Sequence, residues 1–395
     1  MNTKDIVPGF GDVLFFDQAY GTWECPFMQE TLRRILANDP AVTGRALQIL
    51  QRNFCYVIAI LELDEVKRLS KVSQAGRKLK GGKLVNQSYT RYHHSVSVAA
   101  TAFALAVRLG FNEYICLALL ALGLWHDVGH FAFSHDLEPV IAKATGLNHE
   151  QWTVRLFKQS DGLKTVLRAM GAYEAFAMAI NGYGSFYKLL ELADTVSYVQ
   201  DDPLVFGLKG QNSGLVTQVA KSLRGVYPWG YEADSTAAFR RLLEARARLY
   251  RALYSSETNV FMRSAIIELA KLRSVEDSGF WKRCATNTDN LAWQELVDFA
   301  TRQQYGWANL LYRLLMGTSQ PKDHFAWESF ETEAQAKAFV AAKIDDRRFL
   351  TSPPRDFRTK TMVVKAELVT HGLIADRAYL RPHNLEYRVY ILMRW

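Results

Sequence analysis

The stretch that decides the fold runs from Thr90 to Glu150 and reads TRYHHSVSVAATAFALAVRLGFNEYICLALLALGLWHDVGHFAFSHDLEPVIAKATGLNHE. It holds six of the nine histidines in the chain, together with the dipeptide His126-Asp127. Imidazole is the common metal ligand of proteins and the usual proton-transfer group near pH 7. This concentration of histidines therefore predicts one metal site with an acid beside it.

Two helices are predicted inside this stretch. From Ser95 to Leu109 the apolar residues recur at helical spacing, and Gly110 ends the helix. The next segment, Glu113 to Val128, is apolar nearly all round, so we expect it at the centre of a helical domain. His126-Asp127 then lies on the last turn of this buried helix.

A short connection makes two such helices antiparallel neighbours, so the start of the first lies near the end of the second. His94 and His126-Asp127 are therefore expected to converge, and Asp194, in a later predicted helix from Ser185 to Gln200, is a candidate fourth ligand. This donor set suits Fe, Mn, Co, Ni or Zn, with Mg as an additional candidate. The alternative is a set of buried polar residues that satisfy one another, although an uncompensated buried carboxylate is costly.

Composition narrows the class of protein. The chain has 395 residues, 49% of them hydrophobic, and a net charge of +8, which favours anionic partners. Its four cysteines show no CxxC spacing, which argues against a disulfide framework and a cysteine zinc site. The longest apolar run, Tyr114 to Trp125, is shorter than the roughly 20 residues of a membrane span, and no signal segment is seen. We expect a cytoplasmic protein without a membrane partner.

The remaining chain is mostly predicted helical. Residues 45–72 are expected to be helical, residues 149–182 to form two helices, and Ser235 to Leu272 to form one long helix. Between Gln74 and Lys83 lies a basic, glycine-bearing loop, interpreted either as a solvated turn or as a mobile flap over an anionic ligand.

The residue composition changes beyond about residue 320. Thr359 to Val369 and Tyr387 to Trp395 are β-branched and aromatic, which predicts strands. The fold is therefore expected to be mainly α, with a core at 1–272 and a C-terminal region at 273–395 that is helical and then α+β.

The H…HD…D pattern formed by His94, His126-Asp127 and Asp194 resembles that of the HD-domain phosphohydrolases. The surrounding motifs are similar to the dNTP triphosphohydrolase branch, which holds the SAM-and-HD-domain enzyme and the bacterial dGTPases. These motifs are TRYHHS at 90–95, HDVGHFAFSH at 126–135, HEQ at 149–151 and DTVSYVQDD at 194–202. The resemblance covers about residues 65–265 and implies a helical HD core.

The resemblance also implies roles for individual residues. The metal ligands would be His94, His126, Asp127 and Asp194. His130 would contact the phosphates, and His135 would be the general acid. His149 and Glu138 would orient His135, with Glu138 standing where the family has an aspartate.

Substrate contacts are implied by the same resemblance. Arg91 and Arg246 would bind the phosphates, although Arg246 is equally interpreted as an exposed surface arginine. The sugar and base would be contacted by Gln74, Tyr198, Asp202, Tyr250 and Tyr254. His93 is an extra histidine in this pattern and is expected to be structural.

The expected function is metal-dependent hydrolysis of deoxynucleoside triphosphates to nucleoside and triphosphate, by a homo-oligomer. One alternative keeps the metal site in a phosphatase or phosphodiesterase acting on other nucleotides. Another is a nucleic-acid-binding protein with a secondary HD site. Its support is a basic surface formed by the loop at 74–83 and by Arg347, Arg348, Arg355 and Arg358.

Overall fold

The computed structural model describes most of the chain between residues 39 and 316. The described ranges are 15–17, 22–24, 28, 32–33, 35–36, 39–76, 78–80, 83–85, 89–208, 214–228, 230–234, 236–254, 257–303, 307–316, 325–330, 335, 338, 360–365 and 387–392.

Two helices form the centre of the fold, as the sequence predicted. They are numbered here α3 (Arg91–Arg108) and α4 (Glu113–Trp125), and nearly every residue of both is buried. Gly123 of α4 lies so close to α3 that a Cβ there would meet the Cα of Ala99 at 2.4 Å. This contact brings the two backbones together and leaves the ends of the helices side by side.

The boundaries of this pair have local causes. Thr90 begins α3 through a capping box with His93, and Asn112 caps α4 by accepting a hydrogen bond from Ile115 N at 3.0 Å. The helix α4 ends at Trp125, three residues earlier than predicted. His126 and Asp127 therefore lie in the turn after the helix rather than within its last turn.

Further helices surround the central pair, and all of them except Glu138–Thr145 share one hydrophobic core with it. Residues 149–182 form three helices rather than the two predicted. The surrounding helices are α1 (Pro40–Leu61), α2 (Asp64–Arg68), α5 (Glu138–Thr145), α6 (His149–Gln159), α7 (Asp161–Ala169), α8 (Tyr173–Ile180), α9 (Gly184–Val205) and α10 (Leu215–Ser222).

The long helix predicted from Ser235 to Leu272 is interrupted. It consists of α11 (Thr236–Leu249), a π-helical turn at Tyr250–Tyr254, and α12 (Glu257–Glu276). A π-turn adds one residue to a single helical turn, and over so short a segment hydrophobic spacing does not distinguish it from an α-helical turn.

Three more helices follow, α13 (Phe280–Thr286), α14 (Asp289–Arg302) and α15 (Trp307–Leu315). With α12 they form a second core cluster, which also includes residues 131–133, 137 and 141. The division expected at residue 272 stays a prediction; α12 runs across that position.

The strands are short and antiparallel. Hairpins form from β1 (Phe15–Asp17) and β2 (Thr22–Glu24), β3 (Lys78–Lys80) and β4 (Lys83–Val85), and β5 (Leu223–Tyr227) and β6 (Gly230–Ala233). The segment interpreted as a basic loop thus contains the β3–β4 hairpin, while Arg77 and the lysine side chains lie outside the described residues.

The C-terminal strands form a three-stranded sheet in the order β7-β9-β8. Its strands are β7 (Phe325–Phe330), β8 (Lys360–Lys365) and β9 (Tyr387–Leu392), and β9 pairs with both others. The mainly α fold with a C-terminal α+β region is therefore confirmed. The four arginines between 347 and 358 lie outside the described residues.

Among the residues described, no single helix has both the length and the apolar character needed to cross a bilayer. Pro40–Leu61 and Asp64–Lys71 pass that test only as a pair, which is bent by 69°.

Candidate metal and catalytic centre

The four predicted metal ligands meet where α3, the turn after α4, and α9 come together. His94 Nε2 lies 2.8 Å from Asp194 Oδ1 and 3.8 Å from Asp127 Oδ2. The rings of His94 and His126 are 5.5 Å apart between centroids. One potential ligand atom from each of His94, His126 and Asp127 lies within 4.8 Å of the others, which is the spacing that donors around a single cation require.

One potential ligand atom of this cluster, His126 Nε2, is left without a hydrogen-bond partner. His126 Nδ1 donates to the carbonyl of Gly123 at 2.8 Å, and this bond turns Nε2 toward the cluster. His126 Nε2 is buried without a hydrogen-bond partner. Buried polar atoms are normally satisfied, so an orphaned imidazole nitrogen beside two carboxylates fits a metal ligand.

Protonation also favours metal binding. Burial lowers the pKa of His126, so its imidazole is neutral at pH 7. Burial acts to raise the pKa of Asp127, but Arg91, His126 and His130 outweigh it and hold that pKa well below its usual range. A neutral imidazole beside an ionised carboxylate is the form in which both residues bind a divalent cation.

A second cluster lies next to the first and joins the predicted catalytic residues. Glu138 accepts hydrogen bonds from Nδ1 of His135 at 2.7 Å and from Nδ1 of His149, and the backbone N–H of His149 donates to it at 3.1 Å. The ring of His130 stacks on His149 at 4.1 Å and meets His135 edge-on at 4.6 Å. One carboxylate thus orients both histidines.

The pKa values of Glu138 and His135 are both lowered within this cluster. Burial acts to raise the pKa of Glu138, but His135 and His149 outweigh it and hold that pKa far below its usual value. Desolvation within the site lowers the pKa of His135, although half of its side chain is open to the cavity. Because the carboxylate holds Nδ1–H, Nε2 is the nitrogen left to exchange a proton with a substrate.

Arg91 connects the two clusters. Its Nη1 donates to Asp127 Oδ2 at 2.8 Å and its Nε donates to Ser134 Oγ at 3.0 Å, and the side chain is buried. Phe133 and Ser134 have φ values of 60° and 51°, a left-handed conformation that costs non-glycine residues about 1–2 kcal/mol each. A strained turn persists only where its surroundings hold it, so the loop that carries His135 is fixed by its neighbours.

A cavity of about 530 Å³ opens onto both clusters. Arg91, Arg246, His126, Asp127, His130, His135, His149 and Asp194 all line it. The arginine that was equally interpreted as a surface residue therefore faces the site. The cavity is also lined by Glu150, Tyr187, Glu191 and Tyr231, which the sequence did not identify as site residues.

The predicted sugar- and base-contacting residues form a separate group that does not line this cavity. Tyr254 Oη donates to Asp202 Oδ2, and Tyr198 and Tyr254 pack against the same apolar cluster as Ala75, the neighbour of Gln74. The Arg246 guanidinium lies 6.0 Å from the Tyr198 ring and 5.5 Å from the Tyr250 ring. Arg246 therefore lies close to this group and also lines the cavity.

Three polar atoms of that group are buried without a hydrogen-bond partner, namely Gln74 Oε1, Tyr198 Oη and Asp202 Oδ1. Burial raises the pKa of Asp202 to about 7, more than the hydrogen bond from Tyr254 lowers it. Unpaired buried polar atoms cost about 1–3 kcal/mol each, so a group of three is a candidate binding site for a polar ligand.

The extra histidine, His93, contacts residues at the start of α3. Its Nδ1 lies 2.9 Å from Thr90 Oγ1, and its ring stacks on Tyr89 with a centroid distance of 5.9 Å. It forms part of the capping box that begins α3.

Sequence reasoning missed two residues that bond to the loop carrying His135. Ser73 and Asp289 bond to it from outside the recognised motifs, and neither carries a sequence signal that separates it from an ordinary turn or helix-start residue. Ser134 lies inside the recognised run, but its bond to Arg91 becomes visible only in three dimensions.

Part of the chain matches known proteins in sequence. Residues 91–190 match the HD domain family. A deoxyguanosinetriphosphate triphosphohydrolase-like protein from Clostridium perfringens is 32% identical over 123 residues, which is 29% of this chain and 35% of that protein. The human deoxynucleoside triphosphate triphosphohydrolase SAMHD1 is 30% identical over 131 residues, which is 29% of this chain and 20% of that protein. The chain thus spans about a third or less of these relatives.

Solved structures share the fold over a longer range. A phosphohydrolase from Bacteroides thetaiotaomicron matches 86% of this chain and 95% of its own, with a TM-score of 0.60 and 15% identity. A protein from Aquifex aeolicus matches 86% of this chain and 92% of its own, with a TM-score of 0.61 and 17% identity. The span that matches the HD domain, residues 91–190, includes α3, α4 and the turn that carries His126 and Asp127.

Proposed function

We propose that the chain is a metal-dependent phosphohydrolase that converts deoxynucleoside triphosphates to nucleoside and triphosphate. The observation that carries the proposal is the pair His135 and His149 on Glu138, in the same cavity as His126, Asp127 and Asp194. A cation donor set beside an oriented proton donor is what cleavage of an ester bond at phosphorus requires.

In the proposed step a water oxygen bonds to the α-phosphorus as the bond from that phosphorus to the 5′ oxygen breaks. The 5′ oxygen takes a proton from His135, and the proton lost by the attacking water passes to solvent, from which His135 is protonated again. A bound cation would polarise the phosphate and neutralise part of its charge. Arg91 and Arg246 would bind phosphate oxygens, and His135 would donate the proton, because an alkoxide is a poor leaving group.

The deoxynucleoside would bind in the neighbouring polar group. The buried and unpartnered atoms Gln74 Oε1, Tyr198 Oη and Asp202 Oδ1 offer hydrogen bonds to a sugar hydroxyl. The names of the C. perfringens and human relatives, which refer to triphosphohydrolases, support this choice of substrate.

A second candidate is a phosphatase or phosphodiesterase for nucleotides with fewer phosphates. The charge of the cavity favours it, because Glu150 and Glu191 also line the cavity. Two carboxylates there repel a long polyphosphate chain unless a cation accompanies it.

One screen separates the two candidates. The purified chain, loaded in turn with Fe, Mn, Co, Ni, Zn and Mg, is incubated with dNTPs, nucleoside monophosphates and cyclic nucleotides, and all products are identified. Triphosphate released from dNTPs supports the first proposal; turnover of monophosphates or cyclic nucleotides alone contradicts it. Nucleic-acid binding, self-association and a cytoplasmic location stay predictions.

A further inference from the structure

The loop that carries His135 is not held by the HD domain alone. Phe131, Ala132 and Phe133 belong to the core cluster formed by α12 to α15, together with Met262, Ile266, Phe280 and Leu296. The backbone N–H of Ala132 donates to the carbonyl of Cys284 at 3.0 Å. The chain beyond residue 190 therefore forms the surface on which this loop rests.

Asp289 makes the central polar contact of that surface. Its Oδ1 accepts a hydrogen bond from the backbone N–H of Phe133 at 2.7 Å. Its Oδ2 accepts from the backbone N–H of Ser73 at 3.0 Å and from Ser73 Oγ at 2.5 Å. Both carboxylate oxygens of Asp289 therefore accept hydrogen bonds, one from Phe133, which has a left-handed backbone conformation, and one from Ser73.

Ser73 links Asp289 to the cavity residues through hydrogen bonds. Its carbonyl accepts a hydrogen bond from Ser134 Oγ at 2.5 Å, and the same hydroxyl accepts from Arg91 Nε at 3.0 Å. A continuous chain of contacts therefore runs from Asp289 through Ser73 and Ser134 to Arg91, which is bonded to Asp127.

Arg68 holds the other side of the same loop. Its guanidinium donates to the carbonyls of Val128 at 2.8 Å, His130 at 2.5 Å and Asn287 at 3.0 Å. Burial lowers the pKa of Arg68 to about 10, and the charge of Asp289 partly offsets this. The two charges thus stabilise each other while each binds backbone groups on either side of the loop.

We infer that Asp289, assisted by Arg68, is a positioning residue that fixes the loop from His130 to His135 so that the His135 imidazole faces the cavity. An active-site support is thereby supplied by a helix outside the matched HD span. The inference rests on the proposed role of His135 as proton donor.

The test compares Asp289→Ala and Asp289→Asn with Glu295→Gln in the full, metal-loaded chain. Glu295 is the matched control because it lies on the same helix and bonds Arg273 and Arg283 instead of the loop. Asp289→Ala should lower kcat at least 10-fold with KM and metal content unchanged. Asp289→Asn can still accept the Phe133 N–H and should recover part of kcat. Glu295→Gln should keep kcat near wild type.

Hydrogen–deuterium exchange of the 127–138 segment supplies a readout that does not depend on activity. Faster exchange there in the Asp289 variants, with the control unchanged, is the expected result. Unchanged exchange in a folded Asp289 variant, or a kcat loss matched by Glu295→Gln, overturns the inference. If Asp289→Ala does not fold, Asp289→Asn alone decides. An inactive wild type instead defeats the proposed function, while the exchange result still decides the positioning role.

Discussion

Asp194 Oδ1 lies 2.8 Å from His94 Nε2, although the two residues are 100 positions apart in the chain. The contact joins the first turn of α3 to the middle of α9. Burial acts to lower the pKa of His94, but the hydrogen bond and charge of Asp194 outweigh it and raise that pKa. A divalent cation would take the place of the proton between these two groups.

Metal content follows directly from this geometry. The double variant His126→Ala, Asp127→Ala should lose the bound metal, since it removes two donors that lie within 4.8 Å of each other and of His94. Elemental analysis should give about one ion per wild-type chain, as one four-donor site predicts. His93→Ala is the control, because His93 bonds Thr90 and should leave the metal in place. Unchanged metal in the double variant contradicts the site.

His135 and His149 should differ in their effect on turnover. His135→Ala removes the proposed proton donor and should lower kcat by roughly 10²–10⁴-fold with metal and substrate binding retained. His149→Ala should cost less, because His149 shares Glu138 with the donor rather than acting as one. Single-turnover rates together with metal analysis check both variants.

The His135→Ala variant also tests whether His135 is itself a metal ligand. His130, His135 and His149 also bring potential ligand atoms within 4.8 Å of one another. If His135→Ala releases metal, His135 is a ligand and a two-metal site replaces the proposed one. If kcat is unchanged, the proton comes from another group.

Asp202 should make stability fall with rising pH. Burial raises its pKa to about 7, so its folded-state pKa lies above its unfolded value. Below the pKa of Asp202 in the unfolded chain, the carboxyl is protonated in both states and its full contribution to stability is present. That contribution is lost as pH rises through the folded-state pKa of about 7. The loss amounts to at most about 4 kcal/mol, at 1.36 kcal/mol per pKa unit.

Asp202→Asn should therefore raise Tm at pH 8 by several degrees and change it little at pH 4, because asparagine stays neutral at both. Thermal melts at the two pH values measure the difference. Asp161→Asn is the control, since Asp161 is exposed and paired with Lys164. An equal Tm shift at both pH values for Asp202→Asn contradicts the assignment.

Much of this centre could be predicted from sequence because its signals are local. The helices α3 and α4 show their apolar faces within one short stretch, and His94 and His126-Asp127 sit at the ends that a short connection must bring together. Asp194 and Glu138 were placed by resemblance to a family pattern, which records a three-dimensional arrangement as spacing.

Other features had no local signal. The π-turn at Tyr250–Tyr254 covers only five residues, too few for hydrophobic spacing to separate it from an α-helical turn. The link from Asp289 to Phe133 spans 156 positions, and the aspartate alone resembles an ordinary first residue of a helix. Long-range polar contacts of this kind depend on packing between core clusters, which periodicity does not encode.

Gly76 should be intolerant of a side chain. It has a φ of +66°, and a Cβ there would lie 2.1 Å from Asp136 Oδ2 and 2.8 Å from the carbonyl of Phe133. Gly76→Ala should displace the loop that carries His135, lowering both Tm and kcat. Gly44→Ala is the matched control, because nothing lies within 4 Å of its added methyl group and alanine favours the helix. Wild-type kcat in Gly76→Ala contradicts the packing described.

The most direct test of the central claim is hydrolysis of a dNTP by the metal-loaded chain in ¹⁸O-labelled water, with mass analysis of every product. Attack of water on the α-phosphorus, with proton transfer from His135 to the 5′ oxygen, predicts deoxynucleoside without label and triphosphate with one ¹⁸O atom. Release of labelled phosphate or pyrophosphate, or label in the nucleoside, would contradict the account.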